Sequence, residues 1–306
     1  MRLAFLIAAH ADPAQLKRLI DSLPANSVFI VHIDAKANLA AFTNIISDQR
    51  VRFITDRTNV MSGSIGVVEC QMKMIREALT MHADEPIGYL IQMSGMDYPL
   101  WSNDRIEAFF AQSQGKEYIV TQCMANQGEA AKIYTEHRFF NYKYWPYGSL
   151  GSKFRVALRH LVYGLGFRKK LRFKALGREY ALYKGSMNWA ITPDLARLAL
   201  DYWDNNPAYV RYFRDGHAPD ETFIPTLTAH SAFADKAIVI DGAFNGLESI
   251  TPLHYMDYAH GTKVLTASDI DTLVESGKMF CRKVASGKSD QLVKLIEENR
   301  KSASRS

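Results

Sequence analysis

The 306-residue sequence holds only three cysteines, Cys70, Cys123 and Cys281, far apart and without a CxxC pair. That spacing excludes a disulfide framework and a cysteine zinc site, and it leaves three reduced core thiols. Long apolar runs are missing too: no window approaches the roughly 20 residues that span a bilayer. MRLAFLIAAHADP is too short and too soon charged for a secretion signal, so the chain reads as intracellular. The first half lacks both GxGxxG and GxxxxGK[ST], so a phosphate would have to be held by other means than a dinucleotide fingerprint or a P-loop. Repeats and low-complexity tracts are absent as well. A formal net charge of +5 is too small for a dedicated nucleic-acid binder, whose affinity comes from neutralising phosphates.

What is present is an ordinary globular composition, 47% hydrophobic and 23% charged, with length for one large or two modest domains. Charge is unevenly placed. Between Lys153 and Arg178 stand nine Lys or Arg residues and no acid, interleaved with Phe154, Leu158, Leu161, Phe167, Leu171 and Phe173. Such a stretch suits an anionic surface, either a membrane leaflet or an acidic acceptor. It equally suits a solvated amphipathic face, because Lys and Arg stems pack over apolar surface.

Short apolar runs alternate with amphipathic ones in the first half. LAFLIAA (3–9), VFIVHI (28–33), VRFIT (51–55) and YLIQM (89–93) read as strands. Pro13 opens the helical PAQLKRLIDSL, and Ser64 caps IGVVECQMKMIREAL, with Ile65, Val68, Met72, Ile75 and Leu79 on one stripe. Strand and helix in alternation predict an α/β fold with a mainly parallel, doubly wound sheet, whose ligand sits beyond the carboxyl ends of the strands. His10 and Asp12, then His32, Asp34 and Lys36, then Ser94, Gly95 and Asp97 collect there. In the second half YALYKGSMNWAIT returns as strand, PDLARLALDYW is a helix opened by Pro193, and DQLVKLIEENRK is a last short helix that fades into a frayed basic tail.

Three groups could carry chemistry. His10, Asp12, His32, Asp34 and Asp97 lack the HxH or HxxxH pairing of a metal site. Asp269-Ile270-Asp271 is a literal DxD, but Ser268 with Asp271 three residues on resembles a capping box, followed by apolar Ile270, Leu273 and Val274 at helical spacing. In GHAPDETFIP, Asp220 and Glu221 fall in the first turn of a short helix, where acids are stabilised by the dipole. Spacing alone leaves helix start and catalytic base equally open.

Separated stretches resemble the core-2/I-branching β-1,6-N-acetylglucosaminyltransferase family, which also includes peptide O-xylosyltransferases. They are LIAAHADPAQLKRLI, VFIVHIDAK, VMSGSIGVVECQMKMIREAL, YLIQMSGMDYPL, YALYKGSMNWAIT, HAPDETFIPTL and KMFCRKV, in the family's order from about residue 3 to 284. SGMDYPL after a strand, joined to GS-x-x-W and PDE, makes the set specific.

The resemblance implies a glycosyltransferase A-type (Rossmann-like) fold and an inverting transferase that works without a divalent metal. It implies a UDP-sugar donor, with N-acetylglucosamine ahead of xylose, and a glycan or lipid-linked acceptor. The family's base falls on Glu221, with Asp220 capping or orienting it, and its cation near the carboxyl end falls on Lys283, with Arg282 beside it. A further diphosphate-binding Arg falls near His254, where this chain has none, so Arg282, His254 or Lys263 would have to compensate. Donor contacts are expected from His10, His32, Asp34, Ser94, Gly95, Asp97, Gly185 and Ser186, and acceptor contacts from Glu136, Arg138 and Trp189. One domain is expected over 1–284, with a nucleotide-binding half (1–122) and an acceptor-side half (123–284), followed by the tail segment 285–306. Without the anchor and luminal cysteines of animal members, a bacterial enzyme on the cytoplasmic face is expected, with 153–178 approaching the membrane. A binding protein that kept the fold and lost turnover, and a metal-dependent transferase using Asp269 and Asp271, are the rival readings.

Overall fold

The computed structural model describes residues 1–113, 115–141, 143, 145–146, 148–258 and 263–303. In chain order the elements are β1 (Arg2–Ala9), α1 (Pro13–Ser22), β2 (Ser27–Ile33), α2 (Ala40–Thr43), β3 (Val51–Phe53), α3 (Ile65–Asp84), β4 (Ile87–Ser94), β5 (Asp97–Pro99) and α4 (Asn103–Ala111). Then follow β6 (Val120–Cys123), α5 (Leu150–Gly164), β7 (Arg172–Ala175), β8 (Arg178–Ala181), β9 (Tyr183–Lys184), β10 (Ala190–Ile191), α6 (Pro193–Asn205) and α7 (Pro207–Arg214). The chain closes with α8 (Phe223–Ala229), β11 (Ile238–Ile240), β12 (His254–Met256), α9 (Ile270–Glu275), β13 (Phe280–Arg282) and α10 (Asp290–Ala303).

The central sheet runs β10-β4-β1-β2-β3, with β4, β1, β2 and β3 parallel and β10 antiparallel at one edge. This is the mixed α/β architecture with a mainly parallel sheet that the alternation predicted. Its strands read as unbroken apolar runs because helices cover both faces. Alternate side chains of a strand point to opposite faces. Ala4, Leu6, Val28 and Ile30 therefore pack against Val68, Met72 and Ile75 of α3 and Leu195 and Ala199 of α6. On the other face Leu3, Phe5, Ile7, Phe29 and Val31 meet Leu16, Leu19 and Ile20 of α1 and Ile106 and Phe110 of α4. Pro13 and Ser64 start their helices as expected, the Ser64 hydroxyl accepting from Gly66 N at 3.2 Å, and Asp12, read from the sequence as a crevice residue, is the N-cap of α1, accepting from Gln15 N at 3.0 Å.

β2 and β3 lie to one side of β1 and β4 to the other, so the chain reverses its order at the carboxyl ends of β1 and β4, where α/β sheets bind ligands. The floor of that crevice is tight. Gly95 N donates to Ala8 O at 3.0 Å, and a Cβ at position 95 would stand 2.8 Å from the Ala9 Cβ.

Two small sheets flank the crevice. In one, β13 lies between β12 and β5, with Arg282 opposite Asp97, so the C-terminal strand returns to the turn that follows β4. In the other, β6 lies between β11 and β9. The last helix expected, DQLVKLIEENRK, is present as α10 and is docked on the protein. Leu292, Val293 and Ile296 enter a core cluster with Tyr98, Leu273 and Val284. Arg300 donates to Trp101 O, Ser22 O and Asn103 Oδ1, each at 2.8 Å. The end of the basic tail, 304–306, lies outside the described residues. No described helix is long and apolar enough to cross a membrane.

Gly95→Ala is expected to lower the unfolding free energy by about 1–3 kcal/mol, the usual cost of forcing a methyl into a packed contact. Urea denaturation measures it, and an unchanged midpoint would show that the Ala9 contact yields freely.

Candidate active site

Two loops meet where β9 ends. Lys184 closes β9, and Gly185, Ser186, Met187 and Asn188 lead into β10. The PDE segment forms a 3₁₀ turn, Pro219–Glu221, entered through Ala218 at φ 43°, a left-handed conformation that costs a non-glycine residue energy. Gly185 N donates to Glu221 O at 2.7 Å and joins the two loops. Only glycine fits at 185, since a Cβ there would lie 2.5 Å from Val120 O and 2.9 Å from Pro225 Cγ.

The loops wall a cavity of about 320 Å³ lined by Gly185, Ser186, Asn188, His217, Asp220, Glu221 and Arg282 among others. Lys184 donates its ammonium to Glu221 Oε2. The Lys184 side chain is 7% exposed and that of Glu221 31%, so the lysine acts from behind while the carboxylate reaches the cavity. Burial works to lower the Lys184 ammonium, but Glu221 and Tyr134 hold it above the ordinary lysine value. Asp220 is different from its neighbour. Its Oδ1 is buried with no hydrogen-bond partner, and burial, aided by the Glu221 charge, pushes its pKa up to about 7. His217 is kept neutral: burial first, then Arg138, Lys184 and Arg159, lower its pKa to about 3.

The opposite wall rests on Asp97, which is fully buried. Its Oδ2 accepts from Ser94 N at 2.9 Å, from His254 Nε2 at 3.1 Å and from Asn188 Nδ2 at 3.4 Å, while Arg282 Nε stands 3.9 Å from Oδ1. Asp97 is therefore a post beneath the site and not part of the cavity lining. His254 is buried against it and does not supply the missing arginine. Nor does Lys263, which pairs with Asp269 at 2.6 Å. Arg282 is the cation that lines the cavity. Lys283, one residue on, is half-buried, with its amide on Lys263 O at 3.3 Å, and is not among the lining residues.

Other expected contacts are placed differently. His32 is buried with Nε2 accepting from Thr58 N at 2.8 Å, and burial lowers its pKa to about 4, so it is a neutral structural acceptor. Asp34, also buried, pairs with Lys36 at 2.7 Å. His10 is exposed at the end of β1, and Ser94 serves through its backbone, its hydroxyl accepting from Met96 N at 3.3 Å. Trp189 is 0% exposed and belongs to the core, which removes it as a stacking surface for sugar. Glu136 and Arg138 do meet, at 3.2 Å, with Arg159 of α5 3.8 Å from the same carboxylate oxygen.

The first acid of the DxD, Asp269, is engaged in structure, while Asp271 is exposed. Thr266 N donates to Asp269 Oδ2 at 2.8 Å, and this capping box lies two residues before the Ser268–Asp271 box expected. Among the described residues, no group of three His, Cys, Asp or Glu side chains could hold a metal ion. Lys184, Asn188 and His217 were missed by reading the sequence. Lys184 had one signal, a charge at the end of an apolar strand pattern directly before the Gly-Ser loop.

A family model described as Core-2/I-Branching enzyme matches residues 3–259. Human N-acetyllactosaminide beta-1,6-N-acetylglucosaminyl-transferase is 22% identical over 302 residues, which cover 92% of this chain and 67% of that protein. Rat xylosyltransferase 1 is 23% identical over 125 residues, 39% of this chain and 15% of that protein. Among solved structures, apo mouse xyloside xylosyltransferase 1 is similar at a TM-score of 0.31 and 12% identity, over 79% of this chain and 85% of that one.

Asp220 gives a pH signature. Unfolded, it ionises near 3.8, and folded, near 7, so wild-type stability falls as pH rises between those values and levels off above them. Asp220→Asn removes that loss. Its melting temperature should climb relative to wild type across the window, by roughly several degrees. Parallel melting curves at all pH values would show that Asp220 ionises as freely folded as unfolded.

Proposed function

Because this chain belongs to the Core-2/I-branching enzyme family of glycosyltransferases, we propose that it moves a sugar from a UDP donor to a hydroxyl of a glycan or lipid-linked acceptor, with inversion and without a divalent metal. N-acetylglucosamine is the donor sugar favoured, since the likeness to the N-acetylglucosaminyl-transferase spans 92% of the chain and that to xylosyltransferase 1 spans 39%. The observation that carries the reading is one cavity lined by both the Glu221 carboxylate and the Arg282 guanidinium.

In this reaction the acceptor oxygen attacks the anomeric carbon, its proton passes to Glu221, and the bond from that carbon to the diphosphate breaks with its electrons on the departing UDP. Lys184 holds Oε2 and leaves Oε1 for the hydroxyl. Asp220, kept mainly protonated below about pH 7, adds little competing charge beside the base. Arg282 meets the charge that grows on the diphosphate, the task a metal performs elsewhere. Lys283 is the second cation in the proposal, and Gly185 and Ser186 border the donor sugar. Glu136 and Arg138 lie on the acceptor side. The engagement of Asp269 with Thr266 and Lys263 supports metal independence.

Glu221→Gln is expected to lower turnover about 100-fold or more, the loss typical of a missing general base, while wild-type turnover persists in EDTA. Normal turnover by Glu221→Gln with the true acceptor would remove the base assignment, and abolition by EDTA would remove metal independence. UDP should raise the melting temperature of wild type, since a ligand bound to the native state stabilises it, and Arg282→Ala should lose most of that shift. An equal shift in the variant would place the diphosphate elsewhere.

A further inference from the structure

We infer that α5 and the segment after it form a docking face for an anionic lipid bilayer. The inference stands apart from the proposed reaction. No residue of α5 is buried. Leu150, Phe154, Leu161 and Leu165 are 86%, 57%, 60% and 66% exposed. At 3.6 residues per turn these four fall within an arc of about 60°, a stripe about 22 Å long on one side of the helix. Phe167, just past the helix end, is 63% exposed as well.

The opposite side of α5 faces the protein. Arg155 donates to Met61 Sδ at 3.1 Å and to Asn141 Oδ1 at 3.4 Å, and Arg159 approaches Glu136 at 3.8 Å. The helix is thus held by its polar side and turns its apolar side outward, the reverse of a helix that covers a core. Lys153 on α5 and Arg168, Lys170 and Lys174 in the segment after it are exposed, and the stretch 153–178 contains no acid. A bilayer with anionic headgroups fits both features: apolar side chains enter the interface while basic ones meet the headgroups. Lys169 is excluded from this face. It is buried with its ammonium on Tyr212 O and 3.9 Å from the Tyr212 ring centre. The pairing of Arg159 with Glu136 sets the docked helix directly beside the Glu136–Arg138 side of the site.

Flotation with phosphatidylcholine vesicles, with and without phosphatidylglycerol, tests the inference. Wild type should float with the anionic vesicles and mostly sediment with neutral ones. Phe154→Ser/Leu161→Ser/Leu165→Ser should lose flotation, and Lys153→Gln/Arg168→Gln/Lys170→Gln/Lys174→Gln should weaken partitioning about tenfold or more. All the altered side chains are exposed, and circular dichroism melts verify that both variants fold. Wild type that stays with the sediment on anionic vesicles overturns the inference, as does unchanged flotation of either variant. If wild type instead sediments as a dimer in centrifugation while the serine variant is monomeric, and neither floats, the face belongs to a second copy and the inference also fails.

Discussion

The buried carboxylate of Asp97 is the point on which the cleft depends. A carboxylate out of water must be met by donors or by charge, and the partners of Asp97 come from four separate parts of the chain. Ser94 belongs to the end of β4, Asn188 to the loop before β10, His254 to β12 and Arg282 to β13. These contacts on one buried acidic group join the end of β4, the loop before β10 and strands β12 and β13 at the crevice of the parallel sheet. Arg282 is aimed as a consequence: with Nε beside Asp97, its guanidinium lines the cavity from a fixed base.

Across the cavity, two adjacent carboxylates receive opposite treatment. Asp220 is turned into the protein, where its proton is retained, and Glu221 is turned outward and held by Lys184. The Lys184 ion pair has a further effect. It anchors the Glu221 carboxylate at Oε2, and the bond from Gly185 N to Glu221 O ties its backbone to the neighbouring loop, two contacts that orient the carboxylate in advance.

Much of this was legible in the order of residues. The four parallel strands, the Ser64 and Pro13 helix starts and the crevice beyond β1 and β4 follow from apolar periodicity and capping chemistry, which are local. Glu221, Gly185, Ser186 and Arg282 at one cavity were also within reach, because their motifs stand in a recognisable order. What stayed open has a common source. His32, Asp34 and Asp97 follow or end strands pointing at the crevice, and periodicity does not say whether a polar group there meets a ligand or another part of the protein. For His32 it meets Thr58 N, and for Asp97 it meets residues up to His254. The same limit hid Lys184, whose partner lies on a different loop.

By itself, the sequence determined the fold class, the positions of the four parallel strands and of the helices opened by Pro13, Ser64 and Pro193, the basic stretch without acids and the presence of an acidic pair at the start of a helical turn. Each is settled within a few residues by the chemistry of neighbours along the chain. The tertiary structure alone decided which of the pair is buried, that Lys184 holds the other, that Asp97 supports the cleft, and that the apolar side of α5 faces outward. Those outcomes depend on desolvation and on partners distant in sequence. Such energies exist only once the chain has closed upon itself.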